Sequence, residues 1–335
     1  MLSTIEHKEY TLVFSPLRVS TMTTTVQLGV KIDIPKLYES IPLLPYWRLA
    51  NGILKIQTGT SSKGMNCNDL MKQEKKGKEK VSKAFFNQAT LVVCREVSPF
   101  HWKEINVKLF KNGGIQMTGI RSAEMAQDTL TWLIDHIQTT CAGIPIFDGP
   151  PRVHKFQVHL INSDFSIGAP IRQEALHTLI THTYHLPCMY ETTVYQGVKT
   201  KYFFNDLPVS PDKEGRCTCP TLCKGNGTGS GLHQCKKITI SPFQTGQIII
   251  QASGLPDGSM RHIEQAMKFI QSVFQHHTSE IVRKNYLLPT TSEEATPSTA
   301  ESSAWIPHPT ARHIVVVPVD RLVDAPTEGS GASPI

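Results

Sequence analysis

The chain has 335 residues, 39% of them hydrophobic, which is enough for one large or two small domains with a real core. Its formal net charge of +6 favours a polyanionic partner. No run of about 18 apolar residues is present, so no membrane-spanning helix is expected, and the opening Met1–Phe14 lacks the basic and apolar regions of a secretory signal.

Residues 1–17 read as an N-terminal arm, followed by two similar segments, 18–140 and 153–284. The first opens with a strand at Thr23–Leu28 and a helix entry at Asp33-Ile34-Pro35. Proline suits the first helical turn, where its missing N–H would have no partner. A polar insert at 60–84 follows, with Lys63, Lys72, Lys75, Lys76, Lys78, Lys80 and Lys83 set against Asp69, Glu74 and Glu79. Lys108-Leu109-Phe110, the Asn112-Gly113 turn and Ile115–Gly119 form a hairpin signature. A helix capped by Ser122 closes the segment, with Ala126, Leu130, Leu133, Ile134 and Ile137 on one face.

The second segment repeats the order. Phe156–Leu160 reads as its strand, and Ala169-Pro170-Ile171-Arg172 as the matching proline-bearing helix entry. A cysteine-rich insert occupies 205–236. Then come Ser241-Pro242-Phe243, a Thr245-Gly246 turn, Gln247–Ile250, and a helix with Met260, Ile263, Met267, Ile270 and Phe274 on one face. Residues 285–335, rich in Pro, Thr, Ser and Ala, read as a disordered tail. Its apolar patch, His313–Val319, could be a short strand or a docking motif.

The fold class expected is α+β: two tandem repeats whose antiparallel strands join into one sheet, with helices on one face and pseudo-twofold symmetry. Cys217, Cys219, Cys223 and Cys235 follow a C-x-C-x₃-C-x₁₁-C spacing in a glycine-rich loop, with His233 close by. Four soft ligands so placed suit a structural zinc; two local disulfides or free thiols are the alternatives. His177, His182 and His185 have no carboxylate at ligand spacing, and no Walker A or G-x-S-x-G motif occurs, so no enzyme is expected.

Lys108–Gly119, Thr25–Asp33, Pro170–Leu176, Tyr190-Glu191 and Gln196-Gly197 together resemble the TATA-box-binding protein family. The form is divergent and most similar to versions from large DNA viruses. The resemblance implies a saddle with a curved antiparallel sheet and helices on the convex face. The concave face would sit on a widened minor groove, with aromatic wedges unstacking base steps to bend the duplex. Phe110 and Phe243 match one wedge position in each repeat, and Tyr195 the second position of repeat 2. Its partner in repeat 1 is Phe86 or Ala50, and an aromatic wedge favours Phe86.

The family's dyad asparagines fall on Thr21 and Leu160, its groove-lining valines on Thr23, Asn162, Gln116 and Ile249, and a leucine on Lys108; Thr118 is retained. The second Thr-Gly becomes Gln251-Ala252, so a preference for TATA sequences does not follow. Lys108, Lys111 and Arg121 by the first loop region and Lys199 and Lys201 by the second are the phosphate-contact candidates. The implied role is binding and bending double-stranded DNA in transcription initiation, as a monomer, with a general transcription factor and RNA polymerase as partners. The implied location is a nucleus or a viral factory in host cytoplasm, with packaging in the virion a further option. The alternative is a saddle used for protein scaffolding or non-specific DNA packaging.

Overall fold

The computed structural model describes residues 10–73, 87–208, 210–217, 219–221, 223–283 and 288–289. In chain order, repeat 1 contains β2 (Arg18–Gln27), α1 (Ile34–Ser40), β3 (Gly52–Thr58), β4 (Ser61–Gly64), α2 (Cys67–Gln73), β5 (Gln88–Ser98), β6 (His101–Phe110), β7 (Gly114–Ile120) and α3 (Ala123–Thr140). Before it lies β1 (Tyr10–Thr11). Repeat 2 contains β8 (His154–Ser166), α4 (Gln173–His182), β9 (Cys188–Glu191), β10 (Tyr195–Phe204), β11 (Lys236–Pro242), β12 (Gln247–Ala252), α5 (Arg261–His276) and α6 (Thr278–Ile281), and β13 (Leu288–Pro289) follows.

Eleven strands form one antiparallel sheet, in the order β4-β3-β5-β6-β7-β2-β8-β12-β11-β10-β9. The order reads the same outward from the central pair: β2 is flanked by β7, β6, β5 and β3, and β8 by β12, β11, β10 and β9. This is the expected α+β double repeat. Backbone bonds repeat the correspondence at atomic level. Leu28 N donates to Gly113 O (3.0 Å) as Ile167 N does to Gly246 O (3.1 Å). Ile32 N donates to Lys111 O (3.0 Å) as Ile171 N does to Gln244 O (2.9 Å).

Strand alternation puts one face into the core. In β2, Met22, Thr24 and Val26 are buried, while Thr21, Thr23 and Thr25 face the other way, half-buried. Two apolar clusters result. One joins β2–β7 strand residues to Leu37 of α1 and to Leu130, Leu133 and Ile137 of α3. The other joins β8–β12 to Leu176 and Ile180 of α4 and to Ile263, Ile270 and Phe274 of α5. Ser122 caps α3 as expected, its Oγ accepting from Met125 N at 3.1 Å.

Three details differ from the sequence reading. Strand β8 runs on to Ser166, and its core residues Ile161 and Phe165 lie beyond the Phe156–Leu160 stretch. Pro170 is not in a first helical turn, because α4 starts at Gln173 with Arg172 as N-cap; of the two matched prolines, Pro35 alone occupies that slot. The region from 285 is not wholly without structure, because Leu288–Pro289 pair with Tyr10–Thr11. His313–Val319 lie outside the described residues.

Candidate nucleic-acid interface

The face of the sheet away from the two clusters is built by the alternate residues of each strand. At the seam it presents Thr21, Thr23 and Thr25 from β2 opposite Leu160 and Asn162 of β8. Gln116 and Thr118 of β7 and Ile249 and Gln251 of β12 flank them. The polar groups are tied together rather than left loose. Gln251 Nε2 donates to Asn162 Oδ1 (2.8 Å), Gly119 N to Thr21 Oγ1 (3.1 Å), and Thr25 Oγ1 lies 2.6 Å from His159 Nε2. Asp164 also sits here, held by Arg18 at 2.9 Å and by Gln247 at 3.0 Å. Arg18, His159, Asp164 and Gln247 were missed in the sequence; the alternation of β8 carried past Leu160 would have found Asp164.

Phe110 and Phe243 occupy matching positions. Phe110 ends β6 and Phe243 directly follows β11; each is half-buried and its carbonyl accepts a 2.9 Å backbone bond from the third residue on, Gly113 or Gly246. Those glycines have φ +82 and +85, and a Cβ there would drive into the carbonyl oxygens of Val30 and Ala169. Only glycine meets both demands, so the turn that aims each phenylalanine is fixed by residue type. Val107 and Leu109 are fully buried on the opposite face from Phe110, as strand alternation predicts.

In repeat 2, Tyr195 joins Phe243, with ring centroids 5.6 Å apart and planes at 63°. The two rings stand over Gly197, where a Cβ would lie 2.8 Å from Tyr195 and 3.2 Å from Phe243. Beneath them, buried Gln173 donates to Gln196 O (2.7 Å) and Pro242 O (3.2 Å), bracing the residues next to both rings. In repeat 1, Gln88 pairs with Phe110, whereas Ala50 lies at the other end of β5, next to Asn51, which accepts from Glu96 N at 3.0 Å. That is roughly 26 Å from Gln88 along a strand, so Ala50 is ruled out as Phe110's companion. Phe86 lies outside the described residues, as do Lys75, Lys76, Lys78, Lys80 and Lys83.

Lys108 shares the open face with Phe110, and Lys111 follows directly in the turn. Lys199 and Lys201 line β10 on the open face, joined by Lys237 of β11, which the sequence reading missed behind the cysteine loop. Lys201 Nζ donates to Thr239 Oγ1 at 2.8 Å; burial, Lys199 and Lys237 together hold its pKa below the ordinary lysine value. Arg121 departs from expectation. It follows β7 at the end away from the Phe110 turn and lines a cavity of about 530 Å³ on the helix side, with Arg95, Lys103 and Ser122. There burial and Arg121 bring the Lys103 pKa down to about 8.

The sulfurs of Cys217, Cys219, Cys223 and Cys235 lie within 4.8 Å of one another, so these four residues could hold a metal ion. Cys217 and Cys223 are 3.5 Å apart and Cys219 and Cys235 3.8 Å, far beyond a disulfide bond near 2.05 Å. Asn205 Nδ2 approaches Cys235 Sγ at 3.8 Å. Exposed His233 is not part of the group.

Over 290 residues, 79% of its length, the chain is 26% identical to a protein of Acanthamoeba polyphaga mimivirus. That relative is described as TATA-box-binding protein-like. The chain resembles a viral TATA-box-binding protein-like protein. The match spans 66% of the relative's own length. Among solved structures, TBP of Methanococcus jannaschii aligns over 78% of this chain and 99% of its own, with 13% identity and a TM-score of 0.42. No protein-family model matches the chain.

Proposed function

We propose that this TBP-like protein binds duplex DNA in the minor groove through its open sheet face, bends it, and acts without catalysing a reaction of its own. The observation that carries the reading is the matched pair of turn-anchored phenylalanines, one on each side of the pseudo-twofold, with Tyr195 packed against Phe243. Half-buried aromatic rings held by fixed turns are suited to entering a base step, which repays unstacking with added contact. The face between them offers hydroxyl and amide groups, which fit the degenerate hydrogen-bond pattern of the minor groove. We take the same chemistry to weaken base preference relative to an apolar face. We further propose a role in transcription initiation, with a general factor and RNA polymerase as partners, on the resemblance to TATA-box-binding proteins.

End-to-end FRET on short AT-rich and GC-rich duplexes tests this. Wild type is expected to shorten the end-to-end distance. Phe110→Ala/Phe243→Ala is expected to lose most of the bend while keeping part of the salt-sensitive binding. Tight binding without a bend, indifferent to both substitutions, would favour non-specific packaging; absence of binding would favour a protein scaffold.

We also propose that the four cysteines hold one structural zinc. The Cys217–Cys223 and Cys219–Cys235 sulfur separations, 3.5 and 3.8 Å, are close to the edge of a tetrahedron with Zn–S bonds of about 2.3 Å, roughly 3.8 Å.

A further inference from the structure

The two halves of the open face differ in charge and cover: repeat 2 is also closed at Phe203, the 5%-exposed counterpart of Cys94, but its lysines stay part-exposed at places where repeat 1 lies under an insert. In repeat 1 the outer part of this face is built from Leu54 of β3, Val92 and Cys94 of β5, and Glu104 and Trp102 of β6. These residues should be bare. Instead Leu54, Val92 and Cys94 are only 3%, 7% and 6% exposed and form an apolar cluster with Leu44 and Trp102. The cover includes the segment after β4. Lys55 on β3 pairs with Asp69 of α2 at 2.9 Å, and Asn66 Nδ2 donates to Glu104 Oε2 at 2.9 Å. Burial raises the Glu104 pKa, and the Asn66 bond partly offsets this.

The register identifies what repeat 2 carries at the same places. Lys201 pairs with Thr239 where Val92 pairs with Asn106, and Lys237 pairs with Phe203 where Glu104 pairs with Cys94. Val92 and Glu104 are thus replaced by two lysines, with Lys199 one step along the same strand face. Among the described residues none of these three lysines makes an ion pair.

We infer that the segment from β4 through α2 closes the outer third of repeat 1's open face to nucleic acid, so that the duplex is held asymmetrically, running from the seam out over Lys199, Lys201 and Lys237 of repeat 2. This rests on the DNA-binding reading and deepens it: a near-symmetric scaffold acquires a direction. The phosphates meet cations on one side and a carboxylate under a helix on the other, so orientation is set by charge as well as by base steps.

Lysine acetylation read by mass spectrometry on the full chain, with and without a 30-bp AT-rich duplex, tests it. Lys199, Lys201 and Lys237 are expected to be protected several-fold, and Lys55 and Lys63 unchanged. As a second readout, Lys201→Gln/Lys237→Gln should flatten the log–log salt dependence of duplex binding by about 2. Equal protection of Lys55 and Lys63, or an unaltered salt slope in the double variant, would overturn the asymmetry while leaving DNA binding intact. If no lysine is protected because the duplex does not bind, the DNA reading itself fails and the inference goes with it.

Discussion

At the scale of single residues, the aromatic pair of repeat 2 depends on a side chain that touches no ligand. Gln173 is buried at the start of α4 and donates to Gln196 O and Pro242 O, while Tyr190 OH donates to its Oε1 at 3.3 Å. It therefore ties the chain on either side of Tyr195 and Phe243 to one helix. The corresponding first helical residue of repeat 1 is Ile34, so the brace exists once. Gln173→Leu keeps the bulk but removes the donor to the buried Pro242 carbonyl and the part-buried Gln196 carbonyl, a loss of about 1–3 kcal/mol on a urea melt. Well below the melting point, its duplex bend should also be smaller than wild type. A full bend in a destabilised variant would make Gln173 a purely structural residue.

At the scale of elements, what could be read in the sequence follows from how local the determinant is. The hairpins and long helices were legible because Asn112-Gly113, Thr245-Gly246 and the 3.6-residue stripes act over a few positions. The α4 start was misread because Pro170 suggests a helix entry, yet a bridge from Ile171 to Val282 keeps the chain extended for two more residues. The cover over repeat 1 was illegible, since residues 60–84 read as a solvated lysine loop, whereas Asn66 and Asp69 bond to Glu104 and Lys55 on the open face. The cysteine cluster was legible as a set, while the convergence of its four sulfurs to within 4.8 Å was not. That loop joins β10 to β11, where repeat 1 needs only the turn between Ser98 and His101. Among its described residues, Cys235 alone of the four ligand candidates is fully buried, so the loop has little apolar packing to hold it and the metal would supply the constraint. Purified protein should carry about one zinc per chain by elemental analysis. Stripping it with a strong chelator, or Cys223→Ser, should lower the melting temperature and raise exchange in 205–235 first. Metal-free protein with an unchanged melt would remove the zinc assignment.

At the scale of the whole molecule, the repeats are not two modules laid side by side. Met22 of β2 is counted in the core of repeat 2, and Phe156 of β8 packs against the core of repeat 1. The arm crosses the same boundary: Leu12, Phe14 and Leu17 pack on the repeat 2 core, and Ser15 N donates to Ser166 O at 2.9 Å. The seam between β2 and β8 has three register shifts, each of which adds local twist without opening the sheet. Separating the repeats would therefore expose two strand edges and strand apolar residues from each half, so the free energy of opening should belong to the entire sheet. Native-state hydrogen exchange of β6 and β11 amides measures this. The slowest amides of the two strands, one in each repeat, should report the same opening free energy. Met22→Ala, a cavity on the repeat 2 side made from a repeat 1 strand, should lower both by about 2–5 kcal/mol. A fall confined to β8, β11 and β12 would mean that repeat 2 can open while repeat 1 stays folded. A protein that bends DNA by holding wedges at both ends of one sheet needs the first result, because a seam that yields would release the strain of the bend into the protein instead of the duplex.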